Sequence, residues 1–291
     1  MSILLHQHSR VLVQGITSEF AARQTLGMIE YGTRVVAGVT PGKGGSAVHG
    51  VPVYDTIAEA CAAHAADGPI DVAAIYVSAA RAPDAVIEAA ECGIKTLFVT
   101  AEGLPLHGML ALRLATRERG AWLIGPNSLG LISPGQALMG SFPPEWSMPG
   151  PVGMVSRGGT LMLYTALQLR QGGVGISTAV HVGGDPVLAR NPLEYLQAFE
   201  ADPDTRAVVM LAEVGGGKED ECAPFIRTMT KPVIAFVVGQ SVPPGRAMGH
   251  AGALVGNAAQ TAAAKMAVLR AAGAHIATRP EDIAQRVRGL L

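Results

Sequence analysis

The sequence predicts an α/β protein built from two doubly wound domains, and three observations lead there. Short β-branched runs alternate with alanine-rich amphipathic stretches, the pattern of parallel strands joined by crossover helices. The alternation stops at a proline-dense stretch between residues 134 and 151 and restarts beyond it. At roughly 150 residues per domain, a chain of 291 residues holds two such units.

In the first half the predicted strands are Arg10–Gln14, Arg34–Val39, Asp71–Val77, Thr96–Thr100 and Trp122–Ile124. Helical periodicity falls between them, at Phe20–Tyr31, Ile57–Ala66, Ala82–Cys92 and His107–Arg119. The stretch PGQALMGSFPPEWSMPGP follows. Proline blocks helix continuation and donates nothing to a ladder, so residues 134–151 read as a linker between domains 1–133 and 152–291. In the second half strands are expected at Val152–Val155, Ile176–Val182, Ala207–Ala212 and Val233–Val238, with a short one near His275. Helices are expected at Thr160–Gln171, Pro192–Ala201, Asp220–Met229, Gln260–Ala272 and Pro280–Leu290.

Composition narrows the function. Net charge is −1 and no basic stripe is visible, which argues against nucleic acid as a partner. No apolar run approaches the ~20 residues of a membrane span, and the N-terminus reads as neither signal peptide nor presequence. Cys61, Cys92 and Cys222 are odd in number, far apart and outside any metal-ligand spacing. They read as reduced thiols, and a cytoplasmic protein without a metal centre is the expectation. Glycine is the exception to an ordinary composition: 36 of 291 residues, against a usual ~7%.

The glycines cluster where strands feed helices, the edge at which doubly wound sheets bind ligands. The first turn, QGITSEF, has one glycine and lacks the full G-x-G-x-x-G, so an ordinary turn competes with a nucleotide-type loop. Thr40–Gly45 sets three glycines around Lys43, a loop suited to a phosphate and equally readable as a solvated turn. Ser156-Arg157-Gly158-Gly159-Thr160 leads from a strand into an apolar helix, and bare amides at a helix start make an anion seat. Gly183-Gly184-Asp185-Pro186 and Gly215–Gly217 close further strands of the same half. His250 lies in Gly249-His250-Ala251-Gly252, where small neighbours leave its ring exposed; structural and catalytic roles are both open. Glu213, at a strand end, is placed to orient such a ring.

The order of segments QGIT, VTPGKGG, GVPVYDT, IGPNSLG, PGPVGMVSRGGTL, GGDP, EVGG, KPVIAF and MGHAGA resembles the α subunit of succinyl-CoA synthetase (succinate–CoA ligase, NDP-forming). The resemblance runs from residue 2 to beyond residue 280. It implies a Rossmann-like, coenzyme A-binding first domain and a flavodoxin-like ligase second domain. It also implies conversion of a small carboxylic acid, coenzyme A and ATP or GTP to acyl-CoA, nucleoside diphosphate and phosphate. His250 matches the histidine that carries the phosphoryl group and Glu213 the residue that holds its ring. Ser156, Gly158, Gly159 and Thr160 match the seat of the phosphohistidine, cradled by amides without formal charge. Leu163, Gly183 and Gly184 fall at positions near the acid. Thr17, Ser18, Glu19 and Phe20 match the diphosphate loop of the coenzyme, Lys43 its phosphate lysine, and Ala101, Glu102 and Gly103 its pantetheine and adenine contacts. Nucleotide and Mg2+ would be held mainly by a separate ATP-grasp β subunit, in an αβ or α2β2 assembly.

The sequence departs from that family in places that matter. Ser18 and Ala21 stand where the diphosphate loop has glycines. A carboxylate at Glu19 facing the diphosphate would cost about 3 kcal/mol at about 6 Å and an effective dielectric of 20, so either Glu19 points outward or coenzyme A binds differently or weakly. Ser128 replaces a cysteine, Leu163 a tyrosine that Tyr164 misses by one step, and His181 a small apolar residue. The run before the histidine is reduced to PPGRA, keeping Arg246, and the glycine-rich segment after it reads GNAAQTA. The competing function is a coenzyme A-binding regulatory protein that kept the fold without catalysis. A nicotinamide oxidoreductase is disfavoured by the incomplete glycine fingerprint.

Overall fold

The computed structural model describes residues 2–243, 245–246, 248–250 and 252–291. Pro244, Ala247 and Ala251, which belong to the PPGRA run and the histidine loop, lie outside the described residues. The chain forms two seven-stranded sheets with helices packed on them.

The first sheet is ordered β3-β4-β2-β1-β5-β6-β7. Its strands are β1 (Arg10–Gln14), β2 (Arg34–Val39), β3 (Ala47–Val48), β4 (Val51–Tyr54), β5 (Val72–Ile75), β6 (Thr96–Val99) and β7 (Trp122–Ile124). All neighbours run parallel except the β3–β4 hairpin. Helices α1 (Glu19–Tyr31), α2 (Ile57–Ala63), α3 (Ala82–Glu91) and α4 (Leu106–Glu118) make the crossovers. β1 lies fully buried between β2 and β5. The chain therefore changes direction across the sheet at β1, which makes the β1–α1 turn a switch point.

The second sheet is ordered β14-β13-β12-β10-β11-β8-β9. It contains β8 (Gly130–Ser133), β9 (Ala137–Gly140), β10 (Pro149–Ser156), β11 (Ile176–His181), β12 (Ala207–Glu213), β13 (Val233–Val238) and β14 (His275–Ile276). β10 through β14 are parallel, and β8 pairs antiparallel to both β11 and β9. Around it stand α5 (Gly159–Gln171), α6 (Pro192–Ala201), α7 (Ala223–Ile226), α8 (Ala262–Ala271) and α9 (Asp282–Arg288). β10 and β12 flank this sheet's switch point, so the ends of both strands open on one crevice.

The stretch 134–151 differs from the linker expected of it. β9 and the start of β10 lie inside it, and β8, from the expected first domain, pairs into the second sheet. The prolines punctuate these elements rather than exclude them. Pro134 sits in the β8–β9 turn, Pro143 and Pro144 enter a 3₁₀ turn, and Pro149 and Pro151 precede the regularly paired part of β10. The expected helix Asp220–Met229 is also shorter, a 3₁₀ turn Asp220–Cys222 followed by α7, with Pro224 at the junction. No described helix is long and apolar enough to cross a membrane.

Candidate active site

The crevice at the second switch point is a cavity of about 430 Å³. Its walls are Asn127–Leu129 from the turn before β8, Gly158–Leu161 at the start of α5, His181, Glu213, Val238, and Met248–His250.

Each wall is fixed by its element. β12 carries Glu213 to the crevice and leaves the side chain 3% exposed. Its Oε1 accepts from His250 Nδ1 at 2.8 Å, which leaves Nε2 as the ring nitrogen with the free lone pair. Oε2 of Glu213 has no hydrogen-bond partner among the described residues. The His250 side chain is 31% exposed. Its ring packs against Gly184, where an added Cβ would stand 2.7 Å from it, so a glycine is required there by close approach. Gly183 holds a φ of 110° against the Pro126 carbonyl, a backbone setting that favours glycine. Neither glycine lines the cavity: Gly184 backs the histidine and Gly183 packs on the Pro126 carbonyl.

Ser156 ends β10, and Gly158–Thr160 lead into α5. Gly158 is the N-cap and has no side-chain cap, so the first-turn amides of a 13-residue helix are not taken by a capping group. Ser156 Oγ braces the turn, donating to the Gly158 carbonyl at 2.8 Å and accepting from its N–H at 3.2 Å.

His181 was not among the expected site residues, yet its ring ties two walls together. Nδ1 accepts from the Leu129 N–H at 2.9 Å, and Nε2 donates to the Arg157 carbonyl at 2.8 Å. Burial pushes its pKa down to about 4, the Arg157 hydrogen bond opposing and the neighbouring His250 and Arg157 charges adding to the fall. It is a neutral strut at ordinary pH. Asn127, Ser128 and Leu129 were also missed, although the GPNSLG segment that carries them was singled out.

Leu163 does not line the cavity: it is half-buried and packs against the second-sheet core, while Leu161 faces the crevice. Two steps along a helix rotate a side chain by about 200°, which explains the exchange. Tyr164 turns away too, donating to Glu281 Oε1 at 2.7 Å.

The expected coenzyme residues lie in the first domain. Thr17–Phe20 span the end of the β1–α1 turn and the first two residues of α1, with Ser18 the N-cap accepting from the Ala21 N–H. Glu19 bonds Arg23 at 2.8 Å, its side chain 88% exposed, and so does not fold back over the turn. Phe20 is exposed and meets Tyr76 edge-on. Lys43 is exposed, but its N–H and that of Gly44 both donate to Asp55 Oδ1, so this loop offers a side-chain charge rather than free amides. The Ala101 carbonyl accepts from Asn127 N–H and the Gly103 N–H donates to Asp185 Oδ2, which fastens this loop to the second-sheet crevice. A separate cavity of about 500 Å³ adjoins the β1–α1 turn, lined by Gln14, Gly15, Thr40, Pro41 and Arg81 among others.

Residues 6–103 match the CoA binding domain family and residues 155–275 the CoA-ligase family. The succinate–CoA ligase (ADP-forming) subunit alpha 1 of Archaeoglobus fulgidus is 44% identical over 291 residues, covering 100% of this chain and 99% of that protein. The malate–CoA ligase subunit alpha of Methylorubrum extorquens is 41% identical, covering 100% and 99%. The structure of ATP citrate lyase from Methanothrix soehngenii in complex with citrate and coenzyme A superposes with a TM-score of 0.90 at 25% identity. That match covers 99% of this chain, which spans half the length of the lyase chain. Full-length likeness at this level places the chain in the succinate–CoA ligase α-subunit family.

Proposed function

We propose that this chain is the α subunit of an NDP-forming acid–CoA ligase whose phosphoryl carrier is His250. The observation that carries the reading is the Nδ1–Glu213 hydrogen bond at 2.8 Å beside an uncapped helix start. Glu213 fixes the tautomer, and neutral imidazole is nucleophilic near pH 7. Nε2 attacks the γ-phosphorus of a nucleoside triphosphate; the N–P bond forms as the β–γ P–O bond breaks, and the diphosphate leaves. An acid carboxylate then attacks that phosphorus, the N–P bond breaks, and the lone pair returns to Nε2. The thiol sulfur of coenzyme A attacks the resulting acyl phosphate, phosphate departs, and the thiol proton passes to it. Through both transfers the α5 amides would hold the phosphoryl oxygens.

The β1–α1 turn fits a coenzyme diphosphate: Glu19 is turned to Arg23, and the first amides of α1 remain at the turn. Lys43 would add a phosphate contact, and the 101–103 loop would meet the pantetheine or adenine end. An ATP-grasp β subunit would hold the nucleotide and Mg2+, in an αβ or α2β2 complex. Succinate or a related small carboxylate is the acid.

Mixing the chain with its β subunit and γ-labelled ATP or GTP tests this. Acid-labile label on His250, absent in His250→Asn and discharged by an acid with coenzyme A, is the expected result. An unlabelled His250 would favour the regulatory alternative. A panel of succinate, malate, citrate and acetate, scored as coenzyme A-dependent nucleoside diphosphate release, identifies the substrate.

A further inference from the structure

Under the candidate active site lies a buried charge cluster in which one cation is short of partners. Arg157 belongs to the β10–α5 turn, but its guanidinium runs inward and its side chain is 1% exposed. Nη1 stands 3.7 Å from Glu219 Oε1, and Lys265 Nζ bonds the other oxygen of that carboxylate. Two fully buried cations thus share one buried carboxylate. Arg157 Nε and Nη1 and Glu219 Oε1 have no hydrogen-bond partner among the described residues. Two more charges adjoin. Asp185 is buried, with its carboxylate bonded to Asn127 Nδ2 and the Gly103 N–H. Lys218 reaches the Pro186 carbonyl. Asp220 and Glu221 act on the same lysines, so carboxylates match the cations overall, and what stands out is the guanidinium's own shortage of partners.

A buried guanidinium short of partners is destabilising by itself, so its surroundings matter. Arg157 Nη2 donates weakly to the carbonyls of Gly184 and Asp185, at 3.5 and 3.4 Å. Gly184 is also the residue against which the His250 ring lies. A Cβ added at Gly252 would collide with that same Nη2. The guanidinium therefore underlies the histidine loop on one side and is one residue removed from the imidazole on the other.

We propose that Arg157 is a positioning residue whose unpartnered guanidinium holds the histidine loop by charge when Nε2 of His250 carries a phosphoryl dianion. The inference rests on the phosphohistidine reading and revises one part of it. The seat is not amides alone, because a fixed cation lies beneath it. Arg157 is itself out of water, and a charge held rigidly away from solvent acts more strongly than the same charge in solvent. Glu219, 3.7 Å from Nη1, competes for that cation from the opposite side.

The test uses the complex with its β subunit at a fixed ratio of nucleoside tri- to diphosphate. The readout is the ratio of labelled to unlabelled His250, with thermal melting as a check on folding. Arg157→Gln is expected to lower that ratio about tenfold or more, and Arg157→Lys, which keeps the charge, to stay within about threefold. Glu219→Gln removes a competing anion and is expected to raise it. The opposite signs are the point, since a loosened loop would lower both. An unlabelled wild type overturns the phosphohistidine reading itself. A labelled wild type with unchanged Arg157→Gln, an equal fall in Arg157→Lys, or no rise in Glu219→Gln overturns the role of Arg157. Should Arg157→Gln fail to fold or assemble, the sign of the Glu219→Gln effect decides alone.

Discussion

The two sheets each place a strand-to-helix turn at a switch point, and each turn opens a helix of 13 residues. At α1 the start is partly closed by its own chain: Ser18 Oγ caps the Ala21 N–H alone, and Glu19 supplies a carboxylate in the first turn. At α5 the N-cap is Gly158, no side chain caps the start, and the first turn carries no acid. A capped and acidic start satisfies the helix dipole internally; a bare one leaves amides and dipole for an incoming anion. The α5 start keeps its shape by other means, through Ser156 Oγ on Gly158 and the His181 ring on the Arg157 carbonyl. The comparison teaches that a helix end is available to a ligand when its order is supplied from outside the first turn.

The largest expected effect concerns that outside support. His181 has a folded pKa of about 4, below the ~6.5 of an unperturbed histidine. In the unfolded chain it gains its proton first, so its contribution is complete above about pH 6.5 and is lost as the pH falls toward 4. The loss amounts to roughly 3 kcal/mol at the acid end. Protonation also removes the Nδ1 lone pair that accepts from Leu129. Urea unfolding at pH 7, 5.5 and 4 should show this decline in the wild type and a flatter profile in His181→Gln. Parallel profiles would mean that the strut does not titrate in this window.

A smaller effect follows from closing the open start. Gly158→Ser would give α5 the kind of cap that α1 has. An anion at a partly buried helix start gains up to about 2 kcal/mol, so labelling of His250 at fixed nucleotide ratio should fall by up to about 30-fold. A Cβ at this position stands 3.2 Å from Glu213 Oε1, so Gly158→Ala serves as the control with the methyl but no cap. If serine and alanine reduce labelling equally, crowding of Glu213 is the cause and the open start carries no anion.

Legibility followed the range of the interactions. Strands such as β2 and β13 were readable to the residue because β-branched runs record burial locally. The β8–β9 hairpin was not, because its pairing depends on Gly130 and Gly140 facing each other at φ of 110° and 103°, too close for any side chain. Within the site, His250 and Glu213 were found because strand-end and loop positions and the family resemblance agreed. His181 was noticed as a departure but not as a strut, since its partners are backbone groups 52 and 24 residues away and no spacing encodes them. Arg157 belongs to the segment that reads as an anion seat of bare amides, and only packing shows its side chain turned inward.

The smallest effect tests the closed turn. Glu19 is exposed and already paired with Arg23 at i+4, so its field at the turn is weakened by solvent and by its partner. Glu19→Gln should therefore tighten coenzyme A binding only modestly, about two- to fivefold in low salt, with the gain shrinking as ionic strength rises. Calorimetry at two salt concentrations measures both. The variant releases Arg23 as it removes a carboxylate, and the two changes act in the same direction on a diphosphate at this turn. An affinity unchanged at low salt would therefore place the coenzyme diphosphate elsewhere. The α1 start would then be a helix end that its own chain has fully closed, and the contrast with α5 would be complete.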